Sequence, residues 1–327
     1  MNLKNKKILV TGASGFISSH LVKRLLKEGA KVYANTKYNS VIDNLRLLNF
    51  WDDIKVVEAD IRNVDSLSQL KKVKPEIIYH LAAYNHVGDS FLHVSEALHC
   101  NGIATANLLE CYQDYEKFIY MSTSETYGKQ TTVPFQETMT PFPISPYAVG
   151  KYTGELYARM MQHVHGLPIV VLKPFNTFGP FQSPRAVIGE MIIKCLKGED
   201  ILATEGKQTR EFNYVDNIVD GLIAAGESNE GVGEVINIAS GEEITIKDLI
   251  LKIHNLSDSK SKLKIGALPY RPTEIWRMSG DYTKAKKLLG WSPKVPLEEG
   301  LRRSIEWYRK FLDIFEGKES KLLNLNE

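Results

Sequence analysis

Apolar residues in the first half of this chain come in short bursts, separated by longer stretches with helical spacing. Residues 7–10 form the first burst, a strand-like run that ends in a glycine turn. A helical pattern over about 15–28 follows and is closed by Gly29. The strand signature recurs at 31–34, 54–58, 76–81, 117–121 and 169–172. Two long helical patterns lie between the later strands. One covers 91–112. The other starts at Ser145, a good N-cap, with Pro146 at the first helical position, and stops near Gly166 ahead of Pro168. This alternation predicts an α/β fold, a doubly wound parallel sheet with helices on both faces. Ligands of such sheets bind beyond the carboxyl ends of the strands. Residues 11–16, Asp60, and residues 81–84, 122–125 and 174–176 all fall at such ends.

The second half is less regular. Residues 181–197 read as a loop and helix, 212–225 as a strand end and helix, 235–239 as a short strand and 246–253 as a helix. The expected division is a dinucleotide-binding domain over 1–175, rejoined by 212–240. A smaller, segmentally built α/β substrate domain would use 176–211 and 241–327. Residues 313–327 are charged and expected to fray.

Composition narrows the classes. The chain has 327 residues, 43% of them hydrophobic, enough for a sizeable core. Its 41 Lys and Arg nearly balance 39 Asp and Glu, so broad attraction to nucleic acid or membrane is not expected. No apolar run reaches the length of a membrane span. Cys100, Cys111 and Cys195 lack metal or redox spacing, which predicts reduced thiols, no metal and a cytoplasmic setting.

The strand ends carry the chemistry. Thr123, Ser124 and Glu125 put two hydroxyls and a carboxylate together after one strand. Tyr147 and Lys151 are four residues apart on one helix and share a face. A nearby ammonium favours a phenolate and lowers a tyrosine pKa from about 10, which would make Tyr147 a proton acceptor. An ordinary amphipathic helix also shows this spacing, so the neighbouring motifs decide. Gly12, Ser14, Gly15, Phe16 and Ile17 form a turn between strand and helix, where backbone can approach a pyrophosphate. Ser18 stands where a third glycine is usual. The second strand ends at Asn35 and Lys37 without the carboxylate that accepts ribose hydroxyls. An amide and an ammonium suit a 2′-phosphate, which favours NADP over NAD. Asp60 and Ile61 are placed to meet the adenine, and Leu81, Ala82, Ala83 and Pro174 complete the expected cofactor set.

Together the glycine turn, Asp60, His80-Leu81-Ala82-Ala83, Asn101, Tyr147 with Lys151, and Pro174-Phe175-Asn176 resemble the extended short-chain dehydrogenase/reductase family. The resemblance covers about residues 6–312 and implies a Rossmann-type first domain. Ser122-Thr123-Ser124-Glu125 resembles the nucleotide-sugar 4,6-dehydratase version, since 4-epimerases usually lack a carboxylate at the position of Glu125. Residues 83–91 and 271–274 are similar to segments of GDP-mannose 4,6-dehydratases. Residues 174–180, 182–183, 185–188 and 210–215 are similar to the 4,6-dehydratases of legionaminic acid biosynthesis, which act on nucleotide-linked N-acetylglucosamine.

The resemblance implies a mechanism. Oxidising C4 of the hexose to a ketone makes the C5 proton removable, water leaves across C5 and C6, and the stored hydride returns to C6. Tyr147 would take the C4 hydroxyl proton, Lys151 would hold the nicotinamide ribose, Thr123 would orient the C4 oxygen and Glu125 would abstract the C5 proton. The cofactor would stay bound and be recycled. Ser124 replaces the aspartate of dTDP-glucose dehydratases, so protonation of the leaving hydroxyl falls to Glu125 or water. His86, Ser90, Asn176, Arg185, Arg210, Arg271 and Glu274, with Arg277, are the expected substrate contacts, because arginine and amide donors suit anionic oxygens. A homodimer through helices near 91–112 and 146–163 is also implied. A 4-epimerase or decarboxylase on the same scaffold, and a non-catalytic dinucleotide sensor, are the alternatives.

Overall fold

A computed structural model describes residues 1–37, 41–270 and 274–315. Seven strands form one parallel sheet: β1 (Lys7–Thr11), β2 (Lys31–Thr36), β3 (Lys55–Glu58), β4 (Ile77–His80), β5 (Lys117–Met121), β6 (Ile169–Pro174) and β7 (Val235–Ile238). Their spatial order is β7-β6-β5-β4-β1-β2-β3. The order reverses between β1 and β4, and there the crevice for a ligand opens. The central strands are buried on both faces, which is why they read as unbroken apolar runs. Strand 235–238 pairs with β6 in this sheet although it lies far along the chain.

Helices cover both faces. α1 (Phe16–Lys27) packs against α6 (Val215–Glu227) on one side, and α2 (Val64–Val73) against α3 (Ala104–Cys111) on the other. The helix expected over 91–112 is not continuous. Short turns at Val87–Ser90 and Val94–Leu98 lead into a π-helical turn, His99–Ile103, before α3 begins. The bulge turns Asn101 toward Tyr84, whose N–H and carbonyl both bond its side-chain amide at 2.7 and 3.0 Å. π-Turns inside helices commonly mark functional positions.

α4 (Pro146–His165) has the predicted caps. Ser145 Oγ accepts from the Ala148 N–H at 3.1 Å, and Gly166 closes the helix with φ +66°. Gly154 lets α4 lie against β5, because a Cβ there would sit 2.5 Å from Tyr120 Oη.

In the second half, α5 (Val187–Lys197), α7 (Ile246–Leu256), α8 (Thr283–Leu289) and α9 (Leu297–Phe315) join three two-stranded sheets. The last two helices and the helical stretch Val41–Asp53 were not read from the sequence. One apolar cluster runs from Ile8 and Val10 through Ile188 and Leu249 to Leu301, so the two halves share a core. No described helix is long and apolar enough to cross a membrane.

Candidate active site

The carboxyl ends of β1, β2, β4, β5 and β6 open into one cavity of about 650 Å³. Gly12, Ser14, Gly15, Phe16 and Ile17 line it, with Asn35, Lys37, Asp60, Ile61, Leu81, Ala82, Ala83 and Pro174. Gly12 has φ +63°, and a Cβ there would lie 2.7 Å from the Ala82 Cα, so only glycine permits this approach. No side chain caps α1, whose N-cap is Gly15, and its first turn holds no acid. Its free N–H groups and positive dipole end therefore meet the cavity ready for anionic oxygens. This cradle fits the diphosphate of a dinucleotide.

At the far end, Arg62 grips Asp60 (Nη2 to Oδ2, 2.6 Å) and reaches Glu96 at 2.9 Å. The guanidinium holds the Asp60 carboxyl down at about 2. Asn35 departs from expectation. Its amide is buried and donates to the carbonyls of Val57 (3.2 Å) and Ala59 (2.9 Å), where it stitches β2 to β3. Those donors are spent inside the sheet, which leaves Lys37 as the exposed cation of the β2 end.

The reacting end gathers Thr123, Ser124, Glu125, Tyr147 and Lys151 on the same cavity. Thr123 Oγ1 accepts from the Glu125 N–H at 3.2 Å and caps the short turn that carries the carboxylate. Burial pushes the Tyr147 phenol up to about 12, and Glu125 acts in the same direction, while the Thr123 hydroxyl beside it pulls down. The expected lowering by Lys151 is absent. The Lys151 ammonium lies over the Tyr120 ring, 4.5 Å from its centroid, and burial brings its own pKa down to about 8. Burial also raises the Glu125 carboxyl, against the opposing charge of Arg210. Ser124 is buried, and its hydroxyl turns to Met278 Sδ at 3.8 Å.

The expected substrate residues divide between the cavity lining and positions outside it. Asn176 lines the cavity. His86, Ser90, Arg185, Arg210 and Glu274 are not among the lining residues, and Arg271 lies outside the described residues. Ser90 is committed within the fold: its Oγ donates to the Val87 carbonyl at 2.6 Å and accepts the Tyr147 N–H at 3.2 Å, setting the start of α4. His86 Nδ1 accepts from the Asp89 N–H at 3.0 Å. Exposed Arg185 binds Asp89 through both terminal nitrogens at 3.0 Å each. Arg210 pairs with Glu274 at 2.7 Å, and Arg277 with Glu243.

Some contributors escaped the sequence reading. Cys100 lines the cavity, beside Tyr84, which the sequence placed at a strand end without a role. Arg46 donates to the Ser14 carbonyl (3.2 Å) and the Phe181 carbonyl (3.0 Å), tying the glycine turn to the second half. No local pattern marks Arg46. Among the described residues no group of three or more His, Cys, Asp or Glu could hold a metal ion.

Similarity to known proteins agrees with this geometry. The family described as GDP-mannose 4,6 dehydratase matches residues 9–304. The chain is 30% identical to dTDP-D-glucose 4,6-dehydratase of Bos taurus over 344 residues, covering 97% of this chain and 92% of that one. The chain belongs to the extended short-chain dehydrogenase/reductase family of nucleotide-sugar dehydratases and epimerases. Solved members of that family overlay closely. UDP-glucuronic acid 4-epimerase from Bacillus cereus, in complex with UDP-glucuronic acid and NAD, has a TM-score of 0.86 at 32% identity, over 93% of this chain and 99% of that one. A dTDP-glucose 4,6-dehydratase from Streptomyces venezuelae, with NAD and TYD bound, has a TM-score of 0.86 at 27% identity, over 95% and 99%. Dehydratases and epimerases of the family thus stand at similar distance, and only the site can divide them.

Proposed function

We propose that this chain is a nucleotide-sugar 4,6-dehydratase that converts an NDP-hexose to its 4-keto-6-deoxy derivative. The observation that carries the reading is Glu125. It is a carboxyl at the reacting end of the cavity, beside Thr123 and Tyr147, with a pKa raised by burial. Such a group has the basicity to take a C5 proton and the acidity to return one to the leaving C6 oxygen. An epimerase needs neither step.

The glycine turn and Lys151 would hold a nicotinamide dinucleotide, which would supply the hydride chemistry at C4 and C6. Tyr147 removes the C4 hydroxyl proton, and Thr123 orients the C4 oxygen. Any positive charge admitted beside Tyr147 favours its phenolate. Two solved relatives hold NAD. With Asn35 spent on strand carbonyls, a preference for NADP rests on Lys37 alone.

Within the class, the similarity of residues 174–180, 182–183, 185–188 and 210–215 to legionaminic acid pathway enzymes favours GDP-N-acetylglucosamine, seated between the sheet edge and the described parts of segments 176–211 and 241–327. GDP-mannose is the second choice. A homodimer is supported by an exposed apolar stripe, Val149, Leu156, Met160 and Val164 on α4, beside Phe91, Leu92, Val94 and Ile103. The test is mass spectrometry of purified protein incubated separately with GDP-N-acetylglucosamine, UDP-N-acetylglucosamine and GDP-mannose. Loss of one water from one of them is expected. An isobaric, chromatographically distinct product would make the chain an epimerase.

A further inference from the structure

The strap that leaves the cavity after β6 is held by its own carbonyls. Asn176 and Thr177 line the cavity, and the chain then runs through Phe181 toward α5. Phe181 has φ +65°, a left-handed conformation that a residue other than glycine keeps only where its surroundings impose it. Three consecutive carbonyls are clamped here. Pro180 accepts from His20 Nε2 at 3.0 Å, Phe181 from Arg46 Nε at 3.0 Å, and Gln182 from the Tyr308 hydroxyl at 2.9 Å. His20 belongs to α1, Tyr308 to α9, and Arg46 to the helical stretch Val41–Asp53. The Phe181 ring packs on Trp307, with centroids 4.8 Å apart. Gln182 folds the strap back on itself, its Nε2 donating to the Thr177 carbonyl at 2.7 Å. Whatever fixes residues 180–182 therefore also fixes Thr177 at the cavity.

Arg46 makes a second bond that the other two clamps do not. Its Nη1 donates to the Ser14 carbonyl at 3.2 Å, and Ser14 belongs to the glycine turn and lines the cavity. One planar guanidinium, with its donors in a fixed fork, thus bridges the dinucleotide cradle and the strap. We propose that Arg46 is a positioning residue that sets the spacing between the glycine turn and the 176–182 strap, so that one side chain aligns the dinucleotide cradle with the Asn176–Thr177 rim. Arg46 is not among the lining residues, so it acts through Ser14 and Phe181. The consequence for ligands rests on the nucleotide-sugar reading; the hold on the two loops does not.

Arg46→Met removes both bonds, and hydrogen–deuterium exchange of the ligand-free protein, read by mass spectrometry, follows the loops directly. Bonded amides report on each: Gly15 donates to the Gly12 carbonyl at 2.9 Å, and Gln182 to that of Gly179 at 3.3 Å. Peptides over 11–19 and 177–184 are both expected to exchange about tenfold faster than wild type, while 146–165 keeps its wild-type rate. NAD and NADP should each bind about tenfold more weakly, and KM for any nucleotide sugar turned over should rise by a similar factor. Arg46→Lys keeps the charge but offers one nitrogen in place of the fork, so both loops and both affinities should stay impaired. Faster exchange in only one of the two loops, or equally in 146–165, would overturn the proposal. Full recovery by Arg46→Lys would also overturn it, because charge alone would then suffice. If Arg46→Met does not fold, Arg46→Lys is judged by the same exchange measurement. A wild-type protein that binds no dinucleotide and turns over no sugar would sink the functional reading, and the exchange of the two loops would still decide the role of Arg46.

Discussion

The cavity and the charged residues beyond its lining hold their polar groups in opposite ways. On the sheet side, Thr123, Glu125, Tyr147 and Lys151 converge on open space, and burial moves their proton affinities away from ordinary values. Beyond the lining, three arginines of the second half are already paired within the protein: Arg185 with Asp89, Arg210 with Glu274, Arg277 with Glu243. The first arrangement is poised for proton transfer. A ligand oxygen approaching the second would compete with an internal partner.

The largest effect should come from the open side. Tyr147→Phe deletes the hydroxyl beside Thr123 and is expected to cut kcat by about 10²–10⁴-fold, with cofactor affinity little changed. Steady-state kinetics and cofactor titration check both halves of that statement. A drop in affinity equal to the drop in kcat would mean that Tyr147 only packs against the ligand.

Arg210→Met probes the paired side. It removes a charge-assisted contact and is expected to raise KM about tenfold with a smaller change in kcat. It also removes the charge that opposes the rise of the Glu125 carboxyl on burial, so the Glu125 pKa should rise further. Glu125 acting as a base needs its proton off, so the acid limb of the pH–rate profile should move to higher pH. An unmoved limb would separate Arg210 from Glu125. The smallest effect is expected at Lys37, an exposed cation at the end of β2. Lys37→Ala should weaken NADP about fivefold, consistent with a single surface charge, and leave NAD unchanged. Equal losses for both would remove the basis for an NADP preference.

How legible each side was follows from the same contrast. A parallel βα sheet sends every strand end to one edge, so a motif placed after a strand in the sequence is placed at the site in space. Gly12, Asp60, Thr123 and Pro174 needed nothing more, and the caps of α4 fixed Tyr147 and Lys151 on one face. Side-chain direction was not legible. Asn35 turns into the sheet because β2 and β3 present carbonyls within its reach. Ser90 turns toward the first turn of α4. The electrostatic state of Tyr147 also depended on burial, and Lys151 found a ring where a phenolate was expected. On the second side, Arg210 and Glu274 are 64 positions apart in sequence, and no local pattern announces their pairing. The π-turn at His99–Ile103 was hidden because its residues keep helical spacing on either side of the bulge.

The central claim is that Glu125 makes this site a dehydratase. The most direct test runs the reaction in D₂O with wild-type protein and with Glu125→Gln, on whichever nucleotide sugar is turned over. Removal of the C5 proton by Glu125, followed by reprotonation from solvent, predicts a wild-type product that has lost water and carries one deuterium at C5. Glu125→Gln should bind cofactor normally and yield neither water loss nor deuterium. A wild-type product of unchanged mass without deuterium, or a Glu125→Gln variant that dehydrates at the wild-type rate, would contradict the account.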